Sequence, residues 1–182
     1  MASSVALPGF NTPAVGFEQP FDMLEACHQR VERSLDLLER LIAHIDANGH
    51  DASSRSAASD VLRYFDIAAP HHHEDEERHV FPVVLATSRD ADMRETVNRL
   101  HADHLRMDEL WARLRLVLQS WRDADPAPAV TESDRKLAAD FAQSYAAHIP
   151  LEENLIYPAA KAVLSADRLA EIGAEMAARR RQ

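Results

Sequence analysis

Two segments of this 182-residue chain repeat one another without a gap, and that repeat constrains the fold more than any other feature. The first reads His72-His73-Glu74-Asp75-Glu76-Glu77-Arg78-His79-Val80-Phe81-Pro82. The second reads His148-Ile149-Pro150-Leu151-Glu152-Glu153-Asn154-Leu155-Ile156-Tyr157-Pro158. The shared pattern is His, three residues, Glu-Glu, two residues, an aliphatic residue, an aromatic residue and Pro. Residues four apart are neighbours on one face of a helix, with Cβ atoms about 6 Å apart. On a helix, His72 and Glu76 therefore point at one centre, and so do His148 and Glu152. Imidazole with carboxylate suits iron, manganese or zinc. A carboxylate can also bridge two cations and lower their mutual repulsion, so Glu76 and Glu152 are enough for a dinuclear site.

Helices fit the rest of the chain. Only four glycines occur, and apolar residues recur at helical spacing. A first helix is expected from Phe21 to about Asn48, carrying Leu24, Val31, Leu35, Leu38, Leu41, Ile42 and Ile45, with Asn48-Gly49 as its stop. A second is expected from about Ser54 to Thr87, with Val61, Leu62, Phe65 and Val80 on or near its buried face. A third begins near Ser88 as N-cap and ends before Asp125-Pro126-Ala127-Pro128, a breaker. A fourth runs from about Thr131 to Leu164, and a short fifth from Ser165 to Arg181. Long helices with short connections predict an all-α, up-down-up-down four-helix bundle over 21–164. The short C-terminal helix and tail occupy 165–182. Residues 1–20, rich in Pro and Gly, read as an extended N-terminal arm that Phe10 and Phe17 could pin to the domain.

One copy of the repeat falls on the second helix and the other on the fourth, so the remaining two helices should supply the other histidines. On the first, His28 is in register with Leu24, Val31 and Leu35. On the third stands His101-Ala102-Asp103-His104, where His104 lies seven residues from both Val97 and Trp111 and His101 lies beside that seam. His28, His72, His104 and His148 give one histidine per helix. In this pattern the chain resembles the hemerythrin-like, or HHE-type cation-binding, domain over about residues 21–164.

That resemblance implies a non-haem centre of two iron ions, oxo- or hydroxo-bridged when oxidised. One iron would take His28 and His72, the other His104 and His148, with Glu76 and Glu152 bridging. The family uses such a centre to bind dioxygen, to sense oxygen or iron, or to respond to nitric oxide and peroxide. There are departures. Oxygen-carrying hemerythrins have His-x-x-x-His on the third helix and a bridging Asp on the fourth; here stand His-x-x-His and Glu152. His101 is accordingly either a further ligand or a residue packed beside the site. Members that repair damaged iron centres often carry an N-terminal Cys-containing domain, which is not expected here. Ferritin-like oxidases use Glu-x-x-His motifs and more carboxylates.

Around the centre, His73 is expected outside the ligand set, because it points about 100° from His72. Glu77 and Glu153 are expected to hold the ligand histidines or to pair with arginines rather than to bind metal, and Cys27 to be a small buried thiol. His44, His50 and His71 are expected near the surface. Residues two turns from the ligands predict an aromatic, closed end lined by Leu35, Phe65, Trp111 and Phe141. The opposite end should be lined by Phe21, His79, Val97 and Leu155, and is the expected entry for small ligands or protons. Tyr145, one turn before His148, is a further hydrogen-bonding candidate.

The bulk chemistry excludes other classes. A formal charge of −10 disfavours a phosphate-binding surface, so no nucleic-acid partner is expected. One cysteine allows neither an intramolecular disulfide nor a Cys-rich zinc site. No apolar run spans a membrane and no signal peptide is legible, which fits a cytoplasmic protein. The expected function is binding or sensing of dioxygen, peroxide, nitric oxide or iron. A peroxide- or nitric-oxide-scavenging enzyme and a metal buffer are the alternatives.

Overall fold

The computed structural model describes residues 16–181. Most of the expected arm, Phe10 included, lies outside them. Eight α-helices and two π-helical segments succeed one another, with no strand among the described residues. Helix α1 (Pro20–Asn48) starts with Pro at its first position and ends at Gly49, whose φ of 75° suits glycine and whose N–H bonds the Ile45 carbonyl. Helix α2 (Ala52–Arg63) is started by a reciprocal cap between Asp51 and Ser54.

The expected single helix over 54–87 is interrupted. After α2 comes a π segment (Tyr64–Ala68), then α3 (Ala69–His79) and α4 (Phe81–Thr87). Prolines are the physical reason. Pro70 cannot donate to the Asp66 carbonyl, and one turn earlier the ladder widens so that Ala69 N–H reaches Tyr64. Pro82 removes a second donor, and the chain kinks at Val80.

Helix α5 (Ala91–Asp123) is capped by Asp90 rather than by Ser88. The Asp90 carboxylate accepts from the Asp92 N–H, while the Ser88 hydroxyl accepts only from Asp90 N–H. Helix α6 (Glu132–Leu151) begins at the expected Thr131, boxed with Asp134. It then widens into a second π segment (Glu152–Ile156) before α7 (Tyr157–Lys161). Pro158 cannot donate to Asn154, and Tyr157 N–H reaches back to Glu152. Helix α8 (Ala166–Arg179), capped by Ser165, closes the chain.

The long helices pack in a closed ring, α1 on α2, α2 on α5, α5 on α6 and α6 on α1. Two apolar clusters fill it. One holds Val31, Leu38, Phe65, Leu114, Trp121 and Phe141; the other holds Phe21, Leu24, Phe81, Leu100, Ile156 and Met176. The buried histidines and glutamates are carried on the stretches of helix between these clusters. No helix among the described residues is long and apolar enough to cross a membrane.

Helix α8 seals the second cluster with Ile172 and Met176. A Cβ on Gly173 would collide with the Phe17 carbonyl, so only glycine lets the chain cross there. Phe17 lies under the Arg180 guanidinium, 5.2 Å from ring centroid to Cζ. Beneath α8, the fully buried Asp75 is held by Arg179 Nε at 2.9 Å and by Arg180 Nη2 at 2.7 Å. Removing one partner of a buried pair leaves uncompensated charge. Asp75→Ala should therefore cost about 3 kcal/mol, read as a lower urea midpoint with unchanged slope.

Candidate metal centre

Four helical stretches each bring one histidine to the middle of the molecule: His28 from α1, His72 from α3, His104 from α5 and His148 from α6. All four are buried, with Glu76 and Glu152 at 0% exposure between them. Two groups could each hold a metal ion, their candidate donor atoms within 4.8 Å of one another: His28, His72, Glu76 and Glu152, and His104, His148 and Glu152. Glu76 turns Oε1 to Nε2 of His72 at 3.4 Å and of His28 at 3.9 Å, and Oε2 to Nε2 of His104 at 3.5 Å. Glu152 turns Oε2 to His28 at 3.1 Å and Oε1 to His148 at 3.0 Å and His104 at 3.8 Å. Each carboxylate thus spans both histidine pairs.

The donor set fits a cation. Both oxygens of Glu152 and Oε2 of Glu76 are buried without a hydrogen-bond partner, as are Nδ1 of His72 and of His148. The carboxylate oxygens lie close to imidazole nitrogens yet are not satisfied by them, although buried polar groups are normally paired. The electrostatics agree. Burial and the neighbouring Glu152 charge push the Glu76 carboxyl well up. Burial acts in the same direction on Glu152, but the His148 and His28 imidazoles outweigh it and hold that carboxyl well down. Burial, with His28 adding to it, drives the His72 imidazole well down, leaving it neutral and able to donate a lone pair.

The second Glu of each repeat holds a histidine, the first of the two roles expected of it. Glu153 accepts from Nδ1 of His28 at 2.8 Å, and Glu77 accepts from Nδ1 of His104 at 2.9 Å. An acceptor at Nδ1 fixes the tautomer and turns the Nε2 lone pair inward. The aromatic position also packs on the centre, Tyr157 on His28 and Phe81 on His104. One interval separates His28 from His104, His72 from His148, Glu76 from Glu152 and Phe81 from Tyr157. The repeat therefore reaches beyond its two motifs to the helix before each of them.

Other expected residues fall elsewhere. His101 is outside the cluster: three residues before His104, it is rotated toward solvent, half exposed, with Nδ1 at 3.2 Å from Glu77. Its alternative as a residue beside the site is the one its position matches. His73 is buried and stacked on His104 at 3.9 Å. Cys27 is a buried thiol that burial pushes up, away from reactivity. At the aromatic end Phe65 packs against Trp111 and Phe141, while Leu35 and Trp111 are only partly buried.

The opposite end is corrected in two ways. Leu155 is 37% exposed while Ile156 is fully buried, because the π segment adds a residue to the turn and rotates the register. His79 is not an open entry but lies beneath α8, its Nε2 accepting from Arg179 at 2.9 Å. Tyr157 was missed as a site residue. Its signal was its place in the repeat, but only the widened turn shows that it faces inward.

The hemerythrin HHE cation binding domain model matches residues 19–160. An uncharacterized protein of Haemophilus influenzae is 32% identical over 164 residues, covering 90% of this chain and 91% of that protein. Replacing Glu77 or Glu153 with Gln should each weaken metal binding about 10–100-fold, the scale for groups that orient a liganding histidine. Chelator competition reads this, and the number of ions bound should not change. His101→Ala should leave the metal content unchanged.

Proposed function

We propose a function from one premise: this chain belongs to the hemerythrin HHE cation-binding family. It is a non-haem di-iron protein that binds or senses dioxygen or a related small ligand such as peroxide or nitric oxide. The observation that carries this reading is the pair of fully buried carboxylates, Glu76 and Glu152, each with one oxygen toward His28 and the other toward His104. His28 and His72 would hold one iron, His104 and His148 the other, and Glu76 and Glu152 would bridge. When bound, the two irons supply redox chemistry and a coordination position for a small molecule. The closed ring and the short connections between helices support an up-down-up-down four-helix bundle as the frame.

The chain's own residues do the rest. Glu77 and Glu153 keep the proton of His104 and His28 on Nδ1 and so face Nε2 inward. The two apolar clusters keep bulk water from the centre, which favours reversible binding of a small neutral ligand. The second reading is an enzyme in which the same centre turns over peroxide or nitric oxide.

The test begins with iron-loaded protein reduced without oxygen, in which about two irons per chain are expected. Dioxygen, peroxide and nitric oxide are then added in turn while the visible spectrum is monitored. A stable, reversible oxygen-dependent spectrum supports binding, and repeated consumption of peroxide or nitric oxide supports the enzyme. Fewer than two irons per chain overturns the di-iron reading. Glu152→Ala should lose bound iron, because that carboxylate belongs to both groups of candidate donors.

A further inference from the structure

Helices α1 and α6 leave a trough between them on the outside of the ring. Two cavities, of about 530 and about 400 Å³, share Leu35, Asp36, Ala142 and Ala146 and so run into one another. The α6 wall is largely alanine, at Ala138, Ala139, Ala142 and Ala146. Nothing at those positions extends past Cβ, which keeps the trough open. Arg135, the cation on that wall, is already held by Asp46. The α1 wall carries Glu32, Asp36 and Glu39, all exposed. Arg33 and Arg40, beside them in sequence, do not line the trough.

Across the ring, α5 turns an apolar ridge outward. Leu105 is 56% exposed and Leu116 65%. With the exposed Ala112 they stand at i, i+7 and i+11, on one side of the helix. Arg106 and Arg113, also exposed, flank this ridge on one side, about 100° around the helix from Leu105. The other flank carries Asp108 and Gln119.

Ridge and trough match in length and in charge. Leu105 and Leu116 are about 16 Å apart along the helix axis, and the trough follows α1 for about 15 Å from Glu32 to Ile42. Arg106 to Arg113 and Glu32 to Glu39 are the same seven-residue step, about 10 Å each. The ridge is basic on one flank and the trough is acidic on one wall. An uncharged trough would take any apolar segment; this one selects a basic ridge, and the chain itself carries one of the same pitch.

We propose that the protein associates with itself, the α5 ridge of one copy seating in the α1–α6 trough of the next, with Arg106 and Arg113 against Glu32 and Glu39. Ridge and trough are different patches, so the contact is heterologous, and copies add head to tail into a chain or a closed ring. Glu109, between the two arginines on the ridge, opposes the acidic wall and keeps the contact reversible. The assembly does not depend on what the metal centre binds.

Sedimentation velocity of the iron-loaded protein at rising concentration tests this, with helix content and thermal unfolding measured on every variant. Wild type should grow past a dimer as concentration rises. Arg106→Glu with Arg113→Glu should weaken association about tenfold or more, and so should Glu32→Lys with Glu39→Lys, because like charges then meet at the contact. An equal mixture of these two double variants should associate again, since each reversed surface meets its complement on the other. Glu109→Gln should tighten the wild-type contact. A wild type that stays monomeric leaves the trough to another partner and overturns the proposal. So does a wild type that stops at a dimer, double variants that associate as wild type does, or a mixture that stays apart.

Discussion

Two carboxylates at zero exposure, Glu76 and Glu152, set the terms for everything around them. Moving a carboxylate out of water costs several kcal/mol even after relaxation. Without compensation the group would take up a proton or draw in solvent. Here four imidazoles surround the pair, and three of its four oxygens, Oε2 of Glu76 and both of Glu152, have no hydrogen-bond partner. The site is expensive as a set of hydrogen bonds and well suited to positive charge. The surrounding packing keeps water out of the gap, and so keeps it that way.

That requirement accounts for features far from the centre. The apolar clusters above and below exclude water, with Phe65, Trp111 and Phe141 on one side and Phe21, Val97 and Ile156 on the other. Helix α8 completes the second cluster, and Arg179 and Arg180 at its C-terminal end reach Asp75, the residue next to Glu76. The C-terminal helix thus braces the helix that carries one of the spanning carboxylates. His79 is drawn into the same network, which is why an end that looked polar in sequence is closed in the fold.

The prolines act in the opposite sense, by loosening the backbone where side chains must be aimed. Around Pro70 and Pro158 the helix takes a π turn instead of breaking. The second π segment begins at Glu152 itself, so the added residue rotates the next turn of helix and brings Tyr157 against His28. Two nearly identical motifs then yield two unequal halves: one copy widens after its Glu and carries a phenol, while the other kinks at Val80 and carries Phe81.

The sequence by itself marked the main helical stretches, the repeat and seven candidate ligands, six of which the fold gathers at its centre. Helical spacing is local, so a His and a Glu four apart share a face whatever the tertiary fold does. Likewise, Thr131, Ser165 and Gly49 mark helix ends through contacts within a few residues. What failed depended on the summed rotation of a helix or on distant partners. Leu155 was assigned by counting two turns from His148, and one added residue in a π turn defeats such a count. His101, three residues before His104, was kept as a possible ligand, and the tertiary packing leaves it half exposed and outside the cluster. The closing of the His79 end needed Arg179, a hundred residues away. The tertiary structure alone decided these points, because burial and orientation come from elements that meet in space and leave no trace in local spacing.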